Sequence, residues 1–205
     1  MQVRWLERGI EVFEPSDDIA AMGRPKQFTR DEVLRKALPV FWKQGFARAS
    51  LPDLEHATGV NKSGLYGEFE SKEELYLECL RYYLDGRDGT DYLAAEPLGW
   101  DNIQRFLEEG PSRARGQRGC FAVSSMRELE CMPSEARNLI VEGRQKIREL
   151  VMRNVRAENP KMDAGAVCDL ISVFFSGISI EENLKLDPSL AQGKVANFMR
   201  MLRGL

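Results

Sequence analysis

Apolar residues in the first third of the chain recur at the spacing of a helix that buries one face. Thr29 with Glu32 forms a capping-box pattern, which predicts the start of a helix. Val33 and Phe41 then fall on one side of it, so that side is expected to be buried. Pro39 removes one backbone hydrogen bond inside this helix. We expect a bend there and not an end, because the apolar spacing continues beyond it.

Three more helix starts follow closely. Ser50 is a good N-cap for a second helix, and Gly59 can adopt a positive φ, which suits a sharp stop. Asn61 is a good N-cap for a third helix directly after that stop. Ser71, with Glu74 three residues later, repeats the capping-box pattern and predicts a fourth. The second and third helices are therefore short and joined by a tight turn.

The predicted third helix has two different faces. Leu65 and Phe69 lie four residues apart and share the inward side. Lys62, Ser63 and Tyr66 fall on the outward side, where they present a cation, a hydroxyl and a phenol. Such groups suit a helix that contacts phosphates and base edges in the major groove. A solvated helix hairpin would have the same spacing.

Two glycines, Gly64 and Gly67, interrupt this third helix. Each costs roughly 1 kcal/mol relative to alanine inside a helix. That cost is reasonable if a phosphate approaches the backbone closely.

The second half of the chain is expected to be helical throughout, with no strand of period two. A loose polar stretch before Pro97 is the predicted domain boundary. The predicted helices are Trp100–Glu109, Cys120–Glu130, Ser134–Glu158, Ala164–Leu186 and Pro188–Leu202.

Charge and composition limit the function classes. The 205 residues carry a net charge of −3, so any nucleic-acid contact must come from a local patch. Residues 22–50 contain seven basic and two acidic side chains, a local charge of +5 that suits phosphate contacts. We find no run of about 18 apolar residues and no signal peptide, which predicts a cytoplasmic protein with no membrane span.

Catalysis and metal binding are not expected. The sequence has no Ser/His/Asp set, no H-E-x-x-H and no glycine-rich phosphate loop. His56 and the scattered cysteines Cys79, Cys120, Cys131 and Cys168 make no plausible zinc set. We therefore predict a protein with no metal, no cofactor and no enzymatic activity.

The segment Met22 to Leu75, about the first third of the chain, resembles the DNA-binding domain of the TetR family of bacterial transcriptional repressors. The resemblance depends on the Gly-Arg-Pro arm from Gly23, on Gly45-Phe46 after the first helix, and on the core Leu-Tyr-x-x-Phe-x-x-Lys beginning at Leu65. It implies an all-α fold with an extension at 1–21, a helix-turn-helix domain at 22–86 and a helical effector-binding and dimerisation domain at 97–205. The expected DNA-binding residues are Arg24, Lys26, Ser50, Asn61, Lys62, Ser63, Gly64, Tyr66 and Lys72.

The same resemblance implies a homodimer that binds an inverted-repeat operator of double-stranded DNA and responds to a small-molecule effector. In the family the last two long helices form the dimer interface, which would contain Ile178, Val195, Phe198, Met199 and Leu202 unless the core of one chain buries them. The expected effector pocket is lined by Trp100, Phe106, Cys120, Phe121, Met126, Phe174 and Phe175.

Two alternatives remain open at the level of the sequence. Arg118-Gly119-Cys120-Phe121 resembles one branch of the family, and a thiol in the first turn of a helix lies near the positive end of its dipole. Cys120 could therefore sense oxidants or electrophiles, although we place the pocket ahead because free cysteines are usually buried. The other alternative is an all-α protein-binding module that does not read DNA.

Overall fold

A computed structural model describes residues 28–86, 90–110, 117, 119–184 and 187–205. Within these ranges all regular structure is helical, which confirms the all-α fold class. The expectations for residues 1–21 and for Arg24 and Lys26 fall outside the described residues.

Four helices form the N-terminal bundle, and the residue before each one accepts a first-turn N–H through its side chain. The capping box at Ser71 is only half formed, because the Glu74 carboxylate accepts the N–H of Glu70 at 2.5 Å instead. Pro39 does not end the first helix, as expected. The bounds are α1 (Arg30–Gln44), α2 (Leu51–Thr58), α3 (Lys62–Glu68) and α4 (Lys72–Asp85).

The C-terminal helices follow the predicted order, and α6, α8 and α10 have the predicted bounds. The elements are α5 (Thr90–Ala94), α6 (Trp100–Glu109), α7 (Phe121–Ser125), a 3₁₀ segment (Met126–Cys131), α8 (Ser134–Glu158), α9 (Ala164–Glu181), a 3₁₀ turn (Glu182–Leu184) and α10 (Pro188–Leu202).

Three expectations about these helices were wrong. The helix predicted at Ala164–Leu186 ends at Glu181 and is followed by the 3₁₀ turn Glu182–Leu184. The stretch before Pro97 contains α5 and is not a loose linker, because Leu93 is fully buried in the C-terminal core. The segment predicted as one helix, Cys120–Glu130, is divided between α7 and the 3₁₀ segment. At the division the N–H of Met126 bonds the carbonyl of Val123, three residues back, as in a 3₁₀ helix.

Helix α7 packs into the core of the N-terminal bundle. Phe121 is 1% exposed, and its ring centroid lies 5.7 Å from that of Trp42, 5.6 Å from Tyr76 and 5.8 Å from Tyr83. These are edge-to-face or tilted contacts of the kind that favour aromatic pairs. One continuous core therefore crosses the predicted domain boundary.

Polar contacts also attach α7 to α4. The Tyr76 hydroxyl donates to Ser125 Oγ at 2.6 Å, and the Tyr83 hydroxyl contacts Cys120 Sγ at 3.1 Å. Burial raises the pKa of Tyr76, so its hydroxyl stays protonated as a donor. These bonds fix α7 against the helix that follows α3.

The 3₁₀ segment is hydrogen-bonded to the turn between α1 and α2. The Glu128 carboxylate accepts the backbone N–H of Phe46 at 2.6 Å and that of Ala47 at 3.4 Å. Gly45 has φ +82°, and a Cβ at this position would collide with the same carboxylate. The turn is thus built around Glu128, whose charge strengthens both hydrogen bonds.

A buried amide, Asn154 of α8, joins the C-terminal helices. Its Oδ1 accepts the N–H of Gly99 at 2.9 Å and the Asn102 amide at 3.0 Å. Its Nδ2 donates to the carbonyls of Leu93 at 2.8 Å and Leu150 at 2.9 Å. All four hydrogen-bonding capacities of this fully buried side chain are used.

Helix α9 is strongly apolar, although no membrane-length apolar segment was expected from the sequence. Ala164–Leu184 is long and apolar enough to cross a membrane, its most apolar 18 residues have a mean hydropathy of 1.5, and only 28% of these are buried within the chain. Its inner side, including Val167 and Ile171, packs in the C-terminal core, as in a core helix of a globular protein. Its outer side has no cover from the described residues.

We predict that Asn154→Ala destabilises the protein strongly, whereas Asn138→Ala, at an exposed position of the same helix, does not. The first change leaves several buried groups without a partner, each at a cost of about 1–3 kcal/mol. Chemical denaturation should show a loss of at least about 2 kcal/mol for Asn154→Ala. Equal unfolding midpoints for the two variants would contradict this role of Asn154.

Candidate functional site

Helix α3 presents its polar side to solvent because its apolar side is firmly anchored. Leu65 and Phe69 are each 2% exposed in the core of the N-terminal bundle. Lys62 and Ser63 are exposed, and Tyr66 is 43% exposed with its ring centroid 5.8 Å from the Lys62 ammonium. A cation, a hydroxyl and an aromatic ring therefore share one accessible surface.

The turn that precedes α3 is fixed by local hydrogen bonds. Gly59 has φ +74°, in the left-handed region. The Asn61 side chain accepts the N–H of Gly64 at 2.9 Å, and the Glu55 carboxylate of α2 accepts the N–H of Lys62. These contacts set the position of α3 relative to α2 before any ligand binds.

Ser50 acts chiefly as a cap. Its hydroxyl accepts the N–H of Asp53 at 3.3 Å and donates to the Asp53 carboxylate at 2.5 Å. The hydrogen bonds from Ser50 lower the pKa of Asp53. Ser50 is exposed directly before α2, but these hydrogen bonds within the chain hold its hydroxyl in place.

Lys72, another predicted DNA contact, is held by the protein itself. Its ammonium donates to the carbonyl of Ala49 at 2.9 Å and lies 4.6 Å from the Phe46 ring centroid. Lys36 similarly donates to the carbonyl of Thr58 at 3.0 Å. Lys72 therefore links α4 to Ala49, the residue before the N-cap of α2.

The other cations of the predicted basic surface differ in their contacts. Arg30 donates to the carbonyl of Glu68 at 2.6 Å and pairs with Glu74 at 3.5 Å and with Glu78 at 3.3 Å. Lys43 and Arg48 are exposed, and among the described residues neither has an ion-pair partner. Cations thus remain accessible near the start of α2.

The two glycines of α3 have different surroundings. A Cβ on Gly64 would lie 2.6 Å from Val60 Cγ1 and 3.4 Å from Phe28 Cε1, so close packing within the chain explains this glycine. A Cβ on Gly67 would meet nothing within 4 Å. The packing at Gly64, and not the approach of a phosphate, accounts for that glycine. Of the two glycines, only Gly67 has open space where a Cβ would lie.

We predict opposite effects of alanine at these two positions. Gly67→Ala should raise the free energy of unfolding by up to about 1 kcal/mol, since alanine favours helix and has room here. Gly64→Ala should lower it by about 1–3 kcal/mol, because Val60 must move. Thermal unfolding of the two variants tests this contrast, and a shift of the same sign in both would contradict it.

A cavity of about 300 Å³ lies among the C-terminal helices and α4. Its walls are mainly apolar, and its charged lining residues are Glu109 of α6 with Arg144 and Arg148 of α8. This volume and this mixture of many apolar and few polar groups are typical of a small-molecule site. The lining residues are Tyr83, Gly86, Thr90, Tyr92, Phe106, Glu109, Gly110, Cys120, Ala122, Val123, Met126, Ile140, Arg144, Ile147, Arg148, Val151, Cys168, Ile171, Ser172 and Phe175.

Of the seven predicted pocket residues, the structure places Phe106, Cys120, Met126 and Phe175 at the cavity. The other three are absent from its lining because they pack elsewhere. Trp100 lies in the C-terminal core, Phe121 lies among the aromatic rings of the N-terminal bundle, and Phe174 stacks on Phe198 with ring centroids 3.8 Å apart.

Two arginines of the cavity were not expected from the sequence. Arg144 and Arg148 are four residues apart, among the apolar positions Ile140, Ile147 and Val151 of α8 that also line the cavity. That helical spacing is the signal that could have found them.

Cys120 lies in a poor position for a surface thiol sensor. It is 4% exposed, and its sulfur contacts the Tyr83 hydroxyl. Burial raises the pKa of Cys168, the other cysteine at the cavity, which disfavours its reactive thiolate. All four cysteines are free thiols, and Cys131 is exposed.

The predicted interface residues are already covered within one chain. Ile178, Val195, Met199 and Leu202 are each at most 6% exposed in the C-terminal core, and Phe198 stacks on Phe174 as described above. Four of these residues therefore belong to the core of the single chain, and Phe198 is half-buried against it. The exposed apolar side chains of α9, the following 3₁₀ turn and α10 are a different set: Leu170, Val173, Ile180, Leu184, Leu190 and Met201.

Within the described part of the chain, no group of three or more His, Cys, Asp or Glu side chains is placed to hold a metal ion. The two candidate binding surfaces described above are the exposed side of α3 and the cavity.

The fold and these surfaces define the class of protein. An all-helical chain holds a short, exposed polar helix in a helix-turn-helix, and its C-terminal helices enclose a cavity. The profile of the family described as "Bacterial regulatory proteins, tetR family" matches residues 33–79, from α1 into α4. Residues 33–79 therefore match the TetR family, in agreement with the resemblance of the first third of the chain.

Relatives agree with this assignment. The HTH-type transcriptional repressor ComR of Escherichia coli (strain K12) is 48% identical over 63 residues, which is 31% of this chain and 30% of ComR. The HTH-type transcriptional repressor BdcR of the same organism is 23% identical over 163 residues, 77% of this chain and 80% of BdcR. The match with ComR thus spans less than a third of that relative's own length.

A solved structure supports the fold over most of the chain. It contains a cysteine mutant of the TetR family transcriptional regulator CifR complexed with 26 bp double-strand operator DNA. It covers 86% of this chain and 98% of the CifR chain, with a TM-score of 0.74 and 26% sequence identity.

Proposed function

We propose that the chain is a cytoplasmic, dimeric transcriptional repressor that binds an inverted-repeat operator through α3 and releases it when a small molecule occupies the cavity. The observation that carries the proposal is the exposed surface of Lys62, Ser63 and Tyr66 on a helix anchored by Leu65 and Phe69. Cations and hydroxyl groups on such a helix suit phosphate and base-edge contacts. The repressor names of ComR and BdcR and the operator complex of CifR agree with it.

The contacts of α7 and the 3₁₀ segment suggest how the cavity and α3 communicate. Val123 and Met126 line the cavity, and Glu128, two residues further on, binds the backbone of the turn between α1 and α2. An effector that displaces this wall would pull on the turn at Phe46. Because α2 begins shortly after that turn, its displacement would alter the orientation of α2 and α3.

The uncovered side of α9 supports the dimer. A helix with a mean hydropathy of 1.5 and only 28% burial leaves a large apolar surface in water. Such surfaces mark protein interfaces, and a symmetric pair of chains would cover them with the same patch from each. We assign the interface to the exposed set around Val173, which is 71% exposed, and not to the buried residues named from the sequence.

The DNA-binding role predicts a specific change in salt dependence. The two α3 helices of a dimer should contact half-sites about 34 Å apart, or a modest multiple of one helical turn. Lys62→Ala removes one cation from each copy, so the slope of log affinity against log salt should fall by about 2 in magnitude. Tyr66→Ala should weaken binding to all sequences, whereas Ser63→Ala should change the preference among operator variants.

Titration of promoter DNA at several salt concentrations measures these effects. Lys146→Ala, at an exposed position of α8, is the control for loss of one charge. If Lys62→Ala and Tyr66→Ala bind DNA as Lys146→Ala does, then α3 does not read DNA. That result would favour the protein-binding module.

The dimer assignment predicts that Val173→Glu gives monomers. A carboxylate in a dry interface would be unpaired, at a cost of several kcal/mol. Val141→Glu is the control, because Val141 is 59% exposed on α8 outside the assigned interface. Analytical ultracentrifugation should show dimers for the control and monomers for Val173→Glu. A dimeric Val173→Glu would move the interface to another surface.

A further inference from the structure

Arg144 is a cation of the cavity wall whose partners among the described residues are neutral. Its Nη2 donates to Ser172 Oγ at 2.8 Å and its Nη1 to Ser176 Oγ at 3.4 Å. Among the described residues no carboxylate lies within ion-pair distance of it. A half-buried guanidinium with no carboxylate partner in the described part of the chain would be stabilised by an anion that enters the site.

A second guanidinium lies one helical turn away. Arg148 Nη2 pairs with Asp169 at 3.2 Å, and this pair uses only one edge of the group. Its Nη1 is buried, and no hydrogen-bond partner for this atom lies in the described part of the chain. Because a guanidinium presents five donors in a fixed fork, Arg148 retains capacity for another acceptor.

The charges of the described lining are not all paired. Arg144, Arg148 and the carboxylate of Glu109 on α6 line the cavity. Asp169 pairs with Arg148 from outside the lining, whereas Arg144 has no carboxylate within ion-pair distance among the described residues. Next to apolar walls, a charge interaction with Arg144 is stronger than in water.

The remainder of the wall suits a flat apolar body. Phe106 and Phe175 are stacked with ring centroids 4.8 Å apart, and both line the cavity. Ile147, Val151 and Ile171 add aliphatic surface around them. A cavity of about 300 Å³ limits the occupant to a small molecule.

We propose that the cavity binds a small organic acid, with its carboxylate against Arg144 and Arg148 and its aryl or acyl body against Phe106 and Phe175. Guanidinium and carboxylate groups form charge-assisted, often bidentate hydrogen bonds, which gives this chemistry its specificity. The statement that such an acid is the effector rests on the proposed function, whereas the binding itself does not.

Isothermal titration calorimetry on the full chain tests the binding. The probes are 4-phenylbutyrate and octanoate, each compared with its neutral primary amide, and inorganic phosphate. We expect at least one acid to bind at least tenfold more tightly than its amide and than phosphate. Failure of both acids to bind, equal affinity of acid and amide, or equal affinity of phosphate and acid would each overturn the proposal.

Variants of α8 assign the preference to Arg144. Arg144→Met, which keeps an unbranched apolar stem and removes the guanidinium, should abolish the difference between acid and amide, and Arg144→Lys should keep part of it. Arg153→Met is the control, because Arg153 is exposed on the same helix and outside the cavity lining. Circular dichroism confirms that each variant is folded. An unchanged preference in a folded Arg144→Met would overturn the assignment.

Operator titration separates this inference from the proposed function. Release of promoter DNA by the acid, lost in Arg144→Met while DNA binding without ligand persists, supports both. Release by the amide as readily as by the acid overturns the organic-acid inference and leaves the repressor standing. Acid binding in a chain that does not bind promoter DNA overturns the repressor and leaves the organic-acid site standing.

Discussion

The burial of Phe121 among the rings of Trp42, Tyr76 and Tyr83 is the contact on which the arrangement of the whole chain depends. An aromatic side chain of this size stabilises a core by about 3–5 kcal/mol relative to alanine. Because Phe121 comes from the C-terminal half and its neighbours from α1 and α4, this burial joins two parts that the sequence presents as separate domains. The N-terminal bundle completes its core only with a helix that follows it in the chain.

Hydrogen bonds fix the orientation of α7 at this apolar contact. Ser125 of α7 and Cys120, the residue before this helix, contact tyrosines of α4, and Glu128 binds the turn after α1. Apolar packing alone would allow α7 to slide, whereas these polar contacts have strict distance and angle requirements. The cavity shares this wall, since Val123 and Met126 lie between the residues that make those bonds. A change in the shape of the cavity therefore acts on atoms that position the bundle.

Features that depend on neighbouring residues were predictable from the sequence, and features that depend on distant ones were not. Asn61 caps α3 through a bond that spans three residues, so its role can be read from local spacing. The position of Leu93 depends on remote residues, because its carbonyl accepts a hydrogen bond from Asn154 and its side chain is buried in the C-terminal core. Similarly, apolar spacing marks Phe121 and Val195 as buried, but it does not specify which core or interface buries them.

Helix α7 contacts both the cavity and the N-terminal bundle. Under the proposed function this has a thermodynamic consequence for ligand binding. If occupation of the cavity lowers the affinity for operator DNA by some factor, then bound DNA must lower the affinity of the cavity for its ligand by the same factor. The concentration of ligand that half-saturates the regulator would then depend on how much operator is present. A chain free of DNA would bind its ligand more tightly than a chain bound to the operator. The released state would therefore persist as the ligand becomes scarce.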